Sequence, residues 1–221
     1  MTNYMYPNYT IVDNFFDDPD AVVELSKQIK WYPNDGRYPG ERSEPIHQVN
    51  KNFFNYVGKK LLNIFFEEEP NYWSTTLKFQ RILPVHTDQY NIKNRGWVHR
   101  DNCIFGGIIY LNKNPEPDTG TSMYRLKNGY STVDIEQIEW KKKLYLNRLS
   151  PEEDEQYNQY YDEIHNQFIE TVKVENVYNR LVIIGNGTFH GVPTFGTKER
   201  LTLTFFTHDI NNGKLPPLCR V

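Results

Sequence analysis

The chain has 221 residues, 25 of them basic and 28 acidic, for a net charge of −3, and 15% are aromatic. This length fits one all-β domain with a substantial core; the dispersed aromatics exclude wholesale disorder, and the mildly acidic balance gives no strong signal for a nucleic-acid or membrane-surface binder. No apolar run approaches the roughly 18 residues of a membrane span, the N-terminus lacks the basic and apolar regions of a signal peptide, and two cysteines, Cys103 and Cys219, are too few for a disulfide scaffold and wrongly spaced for zinc, so the chain reads as cytoplasmic with reduced thiols.

Taken in order, Tyr9–Phe16 reads as a short strand entering a turn. Asp17-Asp-Pro-Asp20 then opens a helix with an acidic cap and an early proline. Ala21, Val22, Leu25 and Ile29 carry it at helical spacing to about Trp31. Tyr32–Gln48 is punctuated by Pro and Gly and reads as loop. A second helix covers Gln48–Phe66, with Phe53, Phe54, Val57, Leu61, Leu62 and Phe65 on its apolar face. Both helices are expected to pack outside a sheet.

From Trp73 the pattern changes to strands: Trp73–Leu83, then 104–111, 180–185 and 200–207. Between the second and third lies a charged insert, about 134–171. Ser150-Pro-Glu-Glu opens a helix there, and Tyr157, Tyr160, Tyr161, Ile164 and Phe168 continue it as one stripe. The insert reads as an excursion from the sheet with a solvated charged face.

Two residues apart on extended backbone, His99 and Asp101 aim an imidazole and a carboxylate at one point, with Arg100 facing away. His190 follows a strand and precedes a turn at Gly191 and Pro193, and is a candidate third ligand. Two histidines and a carboxylate on a rigid frame suit a non-haem Fe(II) site with open positions. His-x-Asp is a weak signal alone, and His86-Thr-Asp88 is a second copy. It is followed by a polar loop, whereas the copy at 99–101 precedes an apolar strand, so the later copy is preferred. His208-Asp209 reads as structural or surface.

Arg200, Thr202 and Thr204 share one face of their strand, opposite Leu201, Leu203 and Phe205. An inward arginine beside hydroxyls suits a carboxylate; the alternative is a surface ion pair with Glu199. Tyr110 shares a face with Gly106 and Ile108 and offers a further hydroxyl, or simply packs in the sheet. The pair Gly106-Gly107 marks a bulge or a close approach.

The ordered segments Trp97-Val-His-Arg-Asp101, Gly107-Ile-Ile-Tyr-Leu-Asn112, Asp118-Thr-Gly-Thr-Ser122, Leu181–Gly191 and Glu199–Phe205 resemble the 2-oxoglutarate/Fe(II)-dependent dioxygenases, in particular their prolyl-hydroxylase-like branch. The resemblance spans Leu77 to His208, less the insert. It implies His99, Asp101 and His190 as iron ligands, Arg200 as anchor for the distal carboxylate of 2-oxoglutarate, and Thr202 and Tyr110 as hydroxyl partners of that carboxylate. It departs at Thr119-Gly-Thr-Ser122, where members often carry Gly-Gly-Glu/Ala-Thr, and at the insert. Substrate choice is usually set in such places, so the substrate does not transfer. Trp97, Tyr124 and Arg125 are candidates to line its cleft.

The fold implied is α+β: one domain over 1–221, with N-terminal helical support over 1–72 and a double-stranded β-helix, or jelly roll, over 73–212 that carries the insert. The reaction implied is oxidative decarboxylation of 2-oxoglutarate to succinate and CO2, using Fe(II) and dioxygen, coupled to hydroxylation of a small-molecule or peptide substrate. A non-catalytic jelly-roll binding module is the alternative. A cupin-like enzyme is a third reading, but clustered histidine motifs are missing.

Overall fold

Polar and apolar residues alternate from Arg200 to Phe205, and in the computed structural model of the chain, which describes residues 8–128 and 135–210, that segment becomes the central strand of a sheet with two unlike faces. The elements in chain order are β1 (Tyr9–Val12), α1 (Pro19–Lys27), β2 (Trp31–Pro33), β3 (Glu41–Ser43), α2 (Ile46–Val49), α3 (Lys51–Leu62), β4 (Trp73–Ile82), β5 (Phe105–Tyr110), β6 (Thr121–Leu126), α4 (Ile135–Tyr145), α5 (Asp154–His165), β7 (Phe168–Val174), β8 (Leu181–Gly185), β9 (Phe189–Gly191) and β10 (Arg200–Ile210). Residues 1–7, residue 134 at the expected start of the insert, and Cys219 lie outside the described residues.

Seven strands form one sheet in the order β1-β8-β5-β10-β4-β3-β2, and three form a second in the order β7-β6-β9. Every pairing is antiparallel. The architecture is a mixed helix-and-sheet fold of jelly-roll-like character. Among the described residues no helix is long and apolar enough to cross a membrane.

One face of the large sheet is apolar. Leu77 and Phe79 of β4, Phe105 and Ile109 of β5, Leu181 and Ile183 of β8, and Leu201, Leu203 and Phe205 of β10 join Val22 of α1 and Val57, Leu61 and Leu62 of α3 in one buried cluster. Each of the larger side chains contributes about 1.5–3 kcal/mol by leaving water. This burial fixes the register of β10, because a slip of one residue would turn the whole apolar set to the other side. The opposite face, with Arg200, Thr202, Thr204 and Phe206, looks into a cavity.

Local chemistry sets the helix ends. Asp18 accepts from the Ala21 N–H at 3.0 Å with Pro19 next to it, as the acidic cap predicts. The first helix stops at Lys27, however, four residues short of the predicted Trp31. The Trp31 indole N–H folds back to donate to the Ser26 carbonyl at 3.1 Å, and Trp31 pairs with Ser43 in the β2–β3 hairpin. The predicted loop over 32–48 therefore holds most of the β2–β3 hairpin and most of α2. Each strand here is three residues long, too short to display alternation. The second long helix starts at Lys51, where Asn50 caps the Phe53 N–H at 3.0 Å, and ends at Leu62. The support over 1–72 is thus not purely helical, since β1, β2 and β3 extend the sheet on both sides.

The insert also differs from its reading as an excursion. Its last residues already belong to β7, and Phe168 sits in that strand, not on the helical stripe. In α5, Tyr157 and Tyr161 are buried against Trp97 and Leu144. The Trp97 and Tyr161 ring centroids are 4.9 Å apart, and the Tyr161 hydroxyl donates to the Gly96 carbonyl at 3.1 Å. The two helices therefore brace the segment that leads to His99.

Gly107 shows a close approach and no bulge, because the β5 register runs unbroken against β8 and β10. A Cβ there would lie 2.1 Å from the Val182 carbonyl oxygen.

Candidate active site

His99 and His190 exchange both backbone hydrogen bonds, each N–H donating to the other's carbonyl at 2.9 Å. The pairing holds the imidazoles side by side, with centroids 4.4 Å apart. His99 Nδ1 lies 2.9 Å from the Trp97 carbonyl and His190 Nδ1 lies 3.0 Å from the Thr188 carbonyl. A carbonyl only accepts, so both rings carry their proton on Nδ1, and both Nε2 lone pairs are free for a metal.

Asp101 closes the triangle. Its Oδ1 is 3.7 Å from His99 Nε2 and its Oδ2 is 3.3 Å from His190 Nε2. One ligand atom from each of the three residues lies within 4.8 Å of the others, the one such grouping found among the described residues. Burial, and the neighbouring His190, push the His99 pKa down to about 3, so the ring is neutral at pH 7. Burial on its own would raise the Asp101 carboxyl, but the adjacent His190 and His99 rings and Arg42 outweigh it and hold it at about 2. Two imidazoles and one carboxylate on a shared corner are a donor set that fits a divalent transition metal such as non-haem Fe(II).

The earlier copy, His86 and Asp88, is exposed and spends itself on a local turn: His86 Nδ1 accepts from the Asp88 N–H and Asp88 accepts from the Tyr90 N–H, both at 3.0 Å. His208 and Asp209 are likewise exposed, beside a bulge in β10.

A cavity of about 520 Å³ joins His99, Asp101 and His190 to Arg200, Thr202, Thr121 and Ile108. This volume is ordinary for small-molecule sites. Arg200 is 4% exposed, makes no ion pair with Glu199, and donates from Nε to the Thr119 carbonyl at 2.8 Å. Its Nη2 is buried with no hydrogen-bond partner. Burial lowers its pKa, yet a guanidinium stays charged. Its charge sits 5.4 Å from the Tyr110 ring centroid. An unpaired buried guanidinium nitrogen is costly, and an entering carboxylate would satisfy it. The Tyr110 hydroxyl lies 2.7 Å from Thr121 Oγ1. Thr202 faces Tyr110 across the β10–β5 pair and makes a long 3.4 Å bond to the Gln80 carbonyl.

The three residues expected near a substrate scatter. Trp97 borders the cavity, but its ring is packed among Tyr157, Tyr160 and Tyr161. Tyr124 does not line this cavity; it faces a separate hollow with Arg95, His165 and Glu170. Arg125 is exposed on the following residue of β6. The cavity wall is completed instead by Tyr38, Arg42, Lys78, Gln80, Lys141 and Tyr145. Lys78 and Gln80 were readable from strand parity, since Leu77 and Phe79 point to the core. Arg42 and Lys141 lie in the hairpin and the insert, which carried no such signal.

The sequence profile of DUF6445, described as a family of unknown function, matches residues 7–203. The chain belongs to the DUF6445 family. No curated protein matches this DUF6445 chain in sequence. Among solved structures it is similar to HygX from Streptomyces hygroscopicus with nickel and 2-oxoglutarate bound, at 10% identity and TM-score 0.57, covering 91% of this chain and 83% of that one. It is similar also to a prolyl hydroxylase from Trichoplax adhaerens in complex with a hypoxia inducible factor peptide, at 12% identity and TM-score 0.52, covering 91% and 84%. At these identities the likeness shows the fold alone: this DUF6445 chain shares the fold of HygX and of the Trichoplax prolyl hydroxylase.

Proposed function

We propose that this protein is an Fe(II)- and 2-oxoglutarate-dependent dioxygenase, working as one domain on a double-stranded β-helix core. The observation that carries the reading is Arg200, a buried guanidinium with an unpartnered Nη2, in the same cavity as the His99, Asp101 and His190 cluster. Bound Fe(II) would supply oxidative chemistry with dioxygen, driven by conversion of 2-oxoglutarate to succinate and CO2.

The chain's own residues would do the positioning. His99 and His190 present Nε2 because their Nδ1 protons are held by the Trp97 and Thr188 carbonyls. Asp101 supplies the negative charge that favours a divalent cation. Arg200 would take the distal carboxylate of 2-oxoglutarate, with Thr202 and the Tyr110–Thr121 hydroxyl pair beside it, which fixes the co-substrate in one orientation. Ile108 and Ile184 give the cavity apolar walls.

The test is anaerobic titration of the full chain with Fe(II) and 2-oxoglutarate, followed by succinate measurement after admission of air. The expected result is metal-dependent 2-oxoglutarate binding and succinate release. Failure of the wild-type protein to bind 2-oxoglutarate in the presence of metal overturns the reading.

A further inference from the structure

We infer that the wall of this cavity formed by Arg42, Lys78 and Lys141 is a binding site for an anionic group, phosphate or carboxylate, on the small molecule that the enzyme acts on. The inference rests on the dioxygenase reading for the word substrate, but its anion site stands on the side chains alone.

Three cations line this cavity from three different elements: Arg42 from β3, Lys78 from β4 and Lys141 from α4. None forms a close ion pair with a carboxylate among the described residues, and the charge of Asp101 reaches Arg42 and Lys141 only at longer range. Arg42 donates from Nε and Nη2, at 3.3 and 3.2 Å, to one neutral atom, the Gln80 Oε1. Its guanidinium lies 4.0 Å from the Tyr38 ring centroid and 5.6 Å from that of Phe206, so it is held as a flat donor surface between aromatics. Gln80 is itself fixed, donating to the Pro39 carbonyl at 2.9 Å. Lys78 and Lys141 make no hydrogen bond through their amines, and both are partly withdrawn from water. Like charges gathered this way repel one another: Arg42 acts against the Lys78 charge, beyond the cost of burial.

The cavity wall carries five cationic side chains, Arg37, Arg42, Lys78, Lys141 and Arg200, against two carboxylates, Asp35 and Asp101. Asp35 is already paired with Arg37. The surplus is three positive charges, in a chain whose net charge is −3. A divalent metal and the 2-oxoglutarate dianion would cancel each other and leave that surplus untouched. Arg200 accounts for one cation through the co-substrate. Arg42, Lys78 and Lys141 remain without an ion-pair partner of their own: the one carboxylate acting on both Arg42 and Lys141 is Asp101, a candidate metal ligand, and a low-dielectric wall strengthens their pull on an anion.

The test is calorimetric titration of the full chain, loaded with Ni(II) and saturating 2-oxoglutarate, with phenyl phosphate, benzoate and benzylamine. The expected result is saturable binding of at least one anion, none of benzylamine, and binding at least about tenfold weaker in R42Q and in K141Q. The tighter of the two anions identifies the group. Equal affinity in wild type and both variants, or an anion that displaces 2-oxoglutarate, overturns the inference. Lys141 sits on a different element from Arg42, so K141Q remains decisive should R42Q fail to fold. Repeating the phenyl phosphate and benzoate titrations on the metal-free chain separates the two readings. Variant-sensitive anion binding with no succinate release sinks the dioxygenase and leaves the anion site; succinate release with no anion binding does the reverse.

Discussion

His99 and His190 bond each other twice through their backbones, each N–H to the other's carbonyl at 2.9 Å, although neither pairing partner lies within a long shared ladder. This small antiparallel bridge puts the two imidazoles on the same side, because residues directly opposite one another share a face. Asp101 then needs only to follow two residues after His99.

Metal binding should depend on these three residues and not on the earlier motif. H99A and H190A are expected to lose Fe(II) or Ni(II) binding in anaerobic titrations, while H86A retains it. Loss of metal in H86A with retention in H99A would transfer the site to His86 and Asp88.

R200A is expected to weaken 2-oxoglutarate by about 2–5 kcal/mol, the range for losing one partner of a desolvated charge pair, and Fe(II) by much less. Separate titrations of the metal and of 2-oxoglutarate measure the two. An equal loss of both would mean that Arg200 only supports the fold.

The metal-free protein should lose stability on acidification. The His99 pKa is depressed to about 3 by burial and by His190, below the unfolded value near 6.5. Between those pH values the unfolded chain holds a proton that the folded chain refuses, so stability falls as pH drops from about 6.5 toward 3. Asp101 acts in the same direction below its unfolded value of 3.8, down to about 2. Urea denaturation at pH 7 and pH 5 should show the loss, and H99Q should show a smaller one.

G107A is expected to destabilise the fold by at least 1–3 kcal/mol, the range for overpacking. Its Cβ would meet the Val182 carbonyl at 2.1 Å, and β5 cannot move aside because β8 and β10 flank it. Thermal unfolding of G107A beside wild type measures this, and an unchanged midpoint would show that the strands yield.

The long strands were legible because β4 and β10 are long enough to show period-two alternation with one apolar face. Parity alone put Arg200, Thr202 and Thr204 together and set them against the core. The helix start at Pro19 was legible from Asp18, whose side chain caps the Ala21 N–H; the second helix, read as Gln48–Phe66, instead starts at Lys51, where Asn50 caps the Phe53 N–H and separates it from α2. The β2–β3 hairpin was hidden because three-residue strands take their conformation from a neighbour, and Arg42 is in register with Gln80 only once β3 docks on β4.

The sequence by itself determined the local quantities: the two-residue spacing of His99 and Asp101, the face on which Arg200 stands, and the apolar stripe that buries one side of the sheet. All follow from backbone periodicity, which acts over a few residues. The tertiary structure decided which distant segments share a cavity. It joined His190 to His99, turned Lys141 of the insert and Arg42 of the hairpin toward Asp101, and directed Tyr124 into another hollow. Those outcomes depend on strand order and helix docking, where burial of the whole apolar face outweighs any local preference.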